Sequence, residues 1–138
     1  VGEAVGYSTV KRELEKIEDV ELLGRISDKE MMGLYAKAKG FIALAKDEDF
    51  GMTVVEAMAS GTPVIAFNGG GFKETVVDGE TGLLIDSTDT RTLELAMKKF
   101  EGVSWKRKDL IRQSRKFSRD LFEKKIRKIV GKMKADEK

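Results

Sequence analysis

The sequence has no cysteine and no histidine in its 138 residues. The first absence excludes disulfides and thiolate chemistry. The second excludes imidazole as base, nucleophile or metal ligand. Any proton transfer within the chain must then use carboxylates, lysine or tyrosine, or be left to another domain. Proline occurs once, at position 63. Apolar runs are short and broken by charges, and none reaches the ~20 residues of a membrane-spanning helix. Net charge is only +2, so charge alone predicts no nucleic-acid partner. A chain without cysteine fits a reducing, cytoplasmic compartment.

What is present is ordinary globular material. Hydrophobic residues make up 41% and charged residues 36%, a composition that builds a core under a heavily charged surface. The length suits one domain, with an α/β core over residues 1–104 and C-terminal helices over 105–138. Val1 is not an initiator methionine, and Val1-Gly2 reads as the end of a strand entering a turn. The chain therefore reads as a piece of something longer.

Short apolar runs alternate with helical patterns of period near 3.6. A helix is expected over Ser8 to Ile17, capped by Ser8 or Thr9. A short strand is expected over Val20 to Leu23. Ser27-Asp28-Lys29-Glu30 is a capping box that opens a helix to about Ala38. Phe41 to Leu44 reads as a buried strand, Gly51 to Ala59 as a helix, and Pro63 to Phe67 as the next strand. A short helix or turn follows over Lys73 to Val77, and Gly82 to Ile85 is a third apolar strand. Thr88 or Asp89 caps a helix to about Phe100, and two helices follow from Trp105 to Met133, broken near Phe117-Ser118. Strands and helices joined by short connections predict an α/β fold, a Rossmann-like parallel sheet with helices on both faces. In such sheets ligands sit beyond the carboxyl ends of the strands. That singles out the loops after Leu23, Leu44, Phe67 and Ile85.

The loop after Leu44 runs Ala45-Lys46-Asp47-Glu48-Asp49-Phe50-Gly51 into a helix. A helix N-terminus offers free amides and the positive end of the helix dipole, which favour an anion. Three carboxylates beside it would repel a phosphate. They suit a different task, because a carboxylate's two oxygens can accept from both hydroxyls of a diol. Glu48 in the loop and Glu56 one turn into the helix can then hold a diol each, with a diphosphate over the amides between them. On spacing alone the plainer explanation is that Asp47, Glu48 and Asp49 are solvated loop residues favouring the helix dipole and Glu56 a surface residue. Gly69 to Gly71 allow either a close backbone approach to a ligand or a turn that needs positive φ. They are not a dinucleotide fingerprint, because Glu74 stands where its last glycine belongs. Lys46 and Lys73 can reach a phosphate or simply be solvated. The Lys/Arg-rich stretch from Lys106 to Lys116 reads as a solvated charged face.

Several segments in order resemble one family. They are Glu48-Asp49-Phe50-Gly51 through Glu56-Ala57-Met58-Ala59-Ser60-Gly61-Thr62-Pro63-Val64-Ile65-Ala66, then Gly69-Gly70-Gly71-Phe72-Lys73-Glu74-Thr75-Val76, then Asp78-Gly79-Glu80-Thr81-Gly82-Leu83-Leu84-Ile85. Together they resemble the C-terminal, donor-binding domain of retaining GT-B glycosyltransferases with a Glu-x7-Glu motif, and most of all mannosyltransferases. The resemblance implies a hexosyltransferase that moves a sugar from GDP-mannose or a UDP-hexose to an acceptor hydroxyl. It implies no metal and no cofactor beyond that donor. Glu48 would be the catalytic-site residue on the transferred sugar's hydroxyls, and Glu56 would bind the ribose. Phe50, Gly51, Met52 and Thr53 would face sugar and diphosphate with their amides. Arg25 and Ile26 would lie where such enzymes hold the base, and Gly70 and Gly71 would approach the donor.

By the same likeness, Val1-Gly2 corresponds to the tail of the family domain's second strand. The first strand and helix, an Arg and Lys that clamp the diphosphate, and the N-terminal acceptor-binding domain would all be missing. A gapped or rearranged sheet and an inactive fragment are then expected, with peripheral membrane association open to a full-length enzyme. Two other readings compete: a GT-B-fold nucleotide-sugar epimerase or phosphorylase relative, and a non-catalytic α/β binding module.

Overall fold

A computed structural model describes residues 7–136 of the chain. It forms two compact units, Val1–Met31 and Met32–Lys138. The proposed strand tail at Val1-Gly2 lies outside the described residues.

The first unit holds helix α1 (Tyr7–Leu14) and the start of α2 (Asp28–Lys37). Helix α1 has already begun at Tyr7, so Ser8 and Thr9 sit inside its first turn rather than at its cap. The capping box that opens α2 forms as expected. The Ser27 amide donates to the Glu30 carboxylate at 2.8 Å, and the Glu30 amide donates back to the Ser27 hydroxyl at 3.3 Å. Val20 to Leu23 is not a strand. A strand needs a hydrogen-bonded neighbour and a covered face. Among the described residues nothing pairs with this stretch, and Val20 and Leu23 remain exposed.

The second unit is built on strands β1 (Phe41–Ala43), β2 (Val64–Phe67) and β3 (Gly82–Ile85). They pair side by side in the order β1-β2-β3, all parallel. Helix α3 (Met52–Ala59) crosses from β1 to β2, and the single turn α4 (Phe72–Thr75) crosses from β2 to β3. Helices α5 (Thr90–Glu101), α6 (Arg107–Arg115) and α7 (Arg119–Asp136) complete the chain.

Alternation along β2 sends its side chains to opposite faces. Ile65 packs with Leu83, Ile85 and the α5 residues Ala96 and Phe100, and Leu44, Leu93 and Trp105 close that cluster. Val64 and Ala66 point the other way and are fully buried, as are Val54, Ala57 and Met58 of α3. Helix α6 packs against α3 and buries Leu110. The parallel sheet is therefore covered by helices on both faces, the Rossmann-like α/β class expected from the sequence.

Helix α5 is capped by a side chain. The Asp89 side chain accepts from the Thr92 amide at 2.9 Å. Bonds from the Ser87 hydroxyl first, then from Thr92, hold its carboxyl well below the usual aspartate range. A depressed folded pKa contributes stability above the unfolded value of about 3.9 and loses it as pH falls below that value. Asp89→Asn can still cap but cannot titrate. Urea unfolding at pH 6 and pH 3 should show a smaller acid loss in Asp89→Asn than in the parent, and equal losses would refute this role for the cap.

Candidate functional site

Because β1 and β2 are parallel neighbours, the loops leaving their carboxyl ends lie side by side. The first loop climbs from Leu44 to Gly51, and the second runs from Asn68 to Gly71 into α4. They touch backbone to backbone. The Gly71 amide donates to the Glu48 carbonyl at 2.8 Å. A Cβ on Gly70 would stand 2.2 Å from that same carbonyl oxygen, and one on Gly71 would stand 2.3 Å from the Phe50 Cα. The third loop joins through Asn68, whose amide donates to the Ile85 carbonyl at 2.8 Å and whose side chain donates to Asp86 at 2.6 Å.

The two glycines are required for different reasons. Gly70 has φ +50, a left-handed conformation that other residues rarely take. Gly71 has an ordinary helical backbone, φ −65 and ψ −17, so its constraint is purely steric. The close approach that it permits is to the neighbouring loop of the same chain, and its amide is already bonded there.

At the end of the first loop, Gly51 turns left-handed (φ 82, ψ 51) to cap α3. Its amide donates to Glu48 Oε1 at 3.0 Å. The carboxylate thus folds back onto the positive end of α3, which favours its charge, and its second oxygen is left for another donor. The amides of Met52 and Thr53 belong to the first helical turn and have no acceptor within the helix. The Met52 and Thr53 side chains are exposed. Glu56 follows Met52 by one turn and is half-buried. Burial, and after it the nearby Glu56 carboxylate, push the Tyr35 phenol above its ordinary value. Phe50 sets its ring edge-on to Phe117, with centroids 5.5 Å apart.

Glu48, Phe50, Gly51, Met52, Thr53, Gly70 and Gly71 therefore form one cluster at the carboxyl edge of the sheet, with Glu56 on the helix that leaves it. Arg25, exposed, and Ile26, half-buried, lie in the other unit, in an irregular stretch after Gly24. Lys46 Nζ lies 6.0 Å from the Phe67 ring centroid, and Lys73 is exposed. Among the described residues no trio of carboxylates converges as a metal-holding group. No helix among them is long and apolar enough to cross a membrane.

Three contacts to this scaffold come from residues that no motif singles out. Arg107 donates to the Ser60 carbonyl at the end of α3 at 2.7 Å. Gln113 donates to the Thr75 carbonyl at 3.0 Å. Phe117 meets Phe50. A signal for two of them was present in the sequence. Leu110, Gln113, Ser114 and Phe117 follow the inward spacing of a helix, and polar residues on such a stripe need buried partners.

Residues 3–117 match the family described as Glycosyl transferases group 1. The chain belongs to that family. This group 1 chain is 39% identical over 83 residues to a D-inositol 3-phosphate glycosyltransferase of Corynebacterium diphtheriae, covering 60% of the chain and 19% of that protein. It is 42% identical over 83 residues to the alpha-1,3/1,6-mannosyltransferase alg-2 of Neurospora crassa, covering 59% of the chain and 18% of that protein. Its fold matches a sucrose-phosphate synthase from Thermosynechococcus elongatus with a TM-score of 0.79 at 26% identity, over 95% of this chain and 34% of the other. The group 1 chain thus spans about a fifth of each curated relative. These likenesses give it the GT-B, Rossmann-like class, with mannosyltransferases among its relatives.

The loop contact makes a direct prediction. Gly71→Ala places a methyl against the Phe50 backbone and must push the two loops apart. It should cost at least about 2 kcal/mol in urea unfolding. Parental stability would mean that the loops do not interlock as described.

Proposed function

We propose that this chain is the donor-binding part of a retaining glycosyltransferase that moves a hexose from a nucleotide diphosphate to an acceptor hydroxyl. The observation that carries the reading is the left-handed Gly51 cap. It opens α3 with unbonded first-turn amides and has a carboxylate on each side, Glu48 in the loop and Glu56 one turn on. Free amides at the positive end of a helix suit a diphosphate. A carboxylate suits paired hydroxyls.

In this reading the diphosphate takes the Met52 and Thr53 amides, while Gly51 keeps Glu48 in place. The free oxygen of Glu48 receives a hydroxyl of the transferred sugar. Glu56 receives the ribose hydroxyls. Gly70 and Gly71 approach the donor indirectly, by shaping the loop that carries Glu48. GDP-mannose is the preferred donor, in keeping with the mannosyltransferase relative, and a UDP-hexose is the alternative.

Glu48 does not serve here as a proton donor. It orients the sugar, and the departing diphosphate is stabilised by amides and by cations. The cluster offers amides but no buried cation. Transfer therefore needs an acceptor-binding domain and a diphosphate clamp beyond these residues, and the chain by itself binds donor without turning it over. No metal and no cofactor takes part.

Titration with GDP-mannose, UDP-glucose, GDP and UDP by ligand-observed NMR tests the reading. At least one nucleotide-sugar should bind, and no contact with any of the four would overturn it. Glu56→Ala should weaken both the sugar nucleotide and its free nucleotide by about tenfold or more, the scale of losing hydrogen bonds to a charged group. Unchanged nucleotide affinity would remove the ribose role.

A further inference from the structure

A single hydrogen-bonded path leads from α6 to the site. Gln113 is 6% exposed, and its side-chain amide donates to the Thr75 carbonyl at 3.0 Å. Thr75 is fully buried. Its hydroxyl donates to the Gly71 carbonyl at 3.1 Å, with the Phe72 carbonyl a longer alternative at 3.4 Å. The Gly71 amide donates to the Glu48 carbonyl at 2.8 Å, and the Glu48 carboxylate accepts from Gly51 at 3.0 Å. Beside this path, at the end of α6, Phe117 presses edge-on against Phe50.

A glutamine amide is a costly group to bury unless it is bonded. Its neighbour Leu110 shows that an apolar side chain fits this face of α6. Gln113 has a partner because α4 is a single turn, whose last carbonyls have no donor within the helix. At the other end of the turn the Gly71 carbonyl already accepts from the Glu74 and Thr75 amides, at 3.1 and 3.2 Å, and the Thr75 hydroxyl adds a third bond that ties Thr75 to Gly71. Neither residue touches the loop that carries Glu48 directly; they hold α4 and Gly71, and Gly71 is what bonds to that loop.

We propose that Gln113 and Thr75 are positioning residues that set Glu48 for the transferred sugar. The proposal rests on the donor reading above. The path ends at Glu48, whereas Glu56 is held by α3 itself. Loosening the path should therefore disturb the sugar end of a donor more than the nucleoside end. A residue that served stability alone would weaken both ends together.

The test uses Gln113→Leu, which keeps volume and loses the donor, and Thr75→Val, which keeps shape and loses the hydroxyl. Thr75→Ser keeps the hydroxyl and serves as the rescue. In the ligand-free protein, amide exchange of Gly71 and Gly51 should quicken about five- to tenfold in Gln113→Leu and Thr75→Val, with Ile65 unchanged and Thr75→Ser near the parent. The ratio of Kd for the nucleotide-sugar to Kd for the free nucleotide should rise by a similar factor in the first two variants and not in the third. If the parent binds both ligands and the variants keep its ratio, the positioning role is overturned alone. A joint fall of both affinities and global stability in the variants overturns it equally. If the parent binds neither ligand, the donor reading falls and the sugar-positioning role falls with it.

Discussion

The contact between two loop backbones governs the arrangement of this site. Adjacent parallel strands lie about 4.8 Å apart, so the chains leaving β1 and β2 have almost no room to pass each other. Gly71 resolves the crowding by having no side chain, and its amide turns the near-collision into a hydrogen bond with Glu48. Once the Glu48 main chain is fixed, its carboxylate can reach back to the Gly51 amide. That bond in turn stabilises the left-handed cap from which α3 starts. Remove the first contact and each later one loses its support.

Charge adds a second constraint. Asp47, Glu48 and Asp49 crowd negative charge at a helix N-terminus that would otherwise favour a phosphate. Glu48 is the one of the three whose charge the cap uses, through Gly51. Lys46 and Lys73 are exposed, and an exposed lysine is a weak and salt-screened counter-charge. In the proposed reaction the Met52 and Thr53 amides would therefore bind a diphosphate without neutralising it, and further cations would be needed.

Much of this was legible in the sequence, and the exceptions have physical causes. Pro63 to Phe67 and Gly82 to Ile85 announce buried strands because short apolar runs bounded by glycine, proline and polar residues have few other uses; Phe41 to Leu44 reads the same way and does form a strand, but as an outer strand of the sheet with Ile42 exposed. The Ser27–Glu30 box and the Asp89 cap are local pairings, so spacing alone reveals them. Val20 to Leu23 carries equally suitable residues and is no strand, because strand formation depends on a neighbouring ladder that local sequence does not encode. At Gly71 the sequence left a ligand and a positive φ as the two reasons for a glycine. The structure shows a further one, another loop about 20 residues earlier in the chain, at Phe50. Gln113 is 38 residues from its partner Thr75, and nothing local marks such a bond beyond a polar residue on an inward stripe.

The two glutamates of the motif are consequently supported by different parts of the molecule. Glu56 rides on α3, whose Val54, Val55, Ala57 and Met58 are buried and whose last turn is tied down by Arg107 at Ser60. It moves only if the helix moves. Glu48 sits on a loop whose place is set by glycine contacts, one amide bond and the ring pair Phe50–Phe117. Such a loop opens at lower free energy than a packed helix. Under the donor reading proposed above, a site so divided would keep its hold on the nucleoside end of a ligand while the sugar end adjusts. In that reading, release and re-seating of the sugar would need only the loop contacts to yield, not the core.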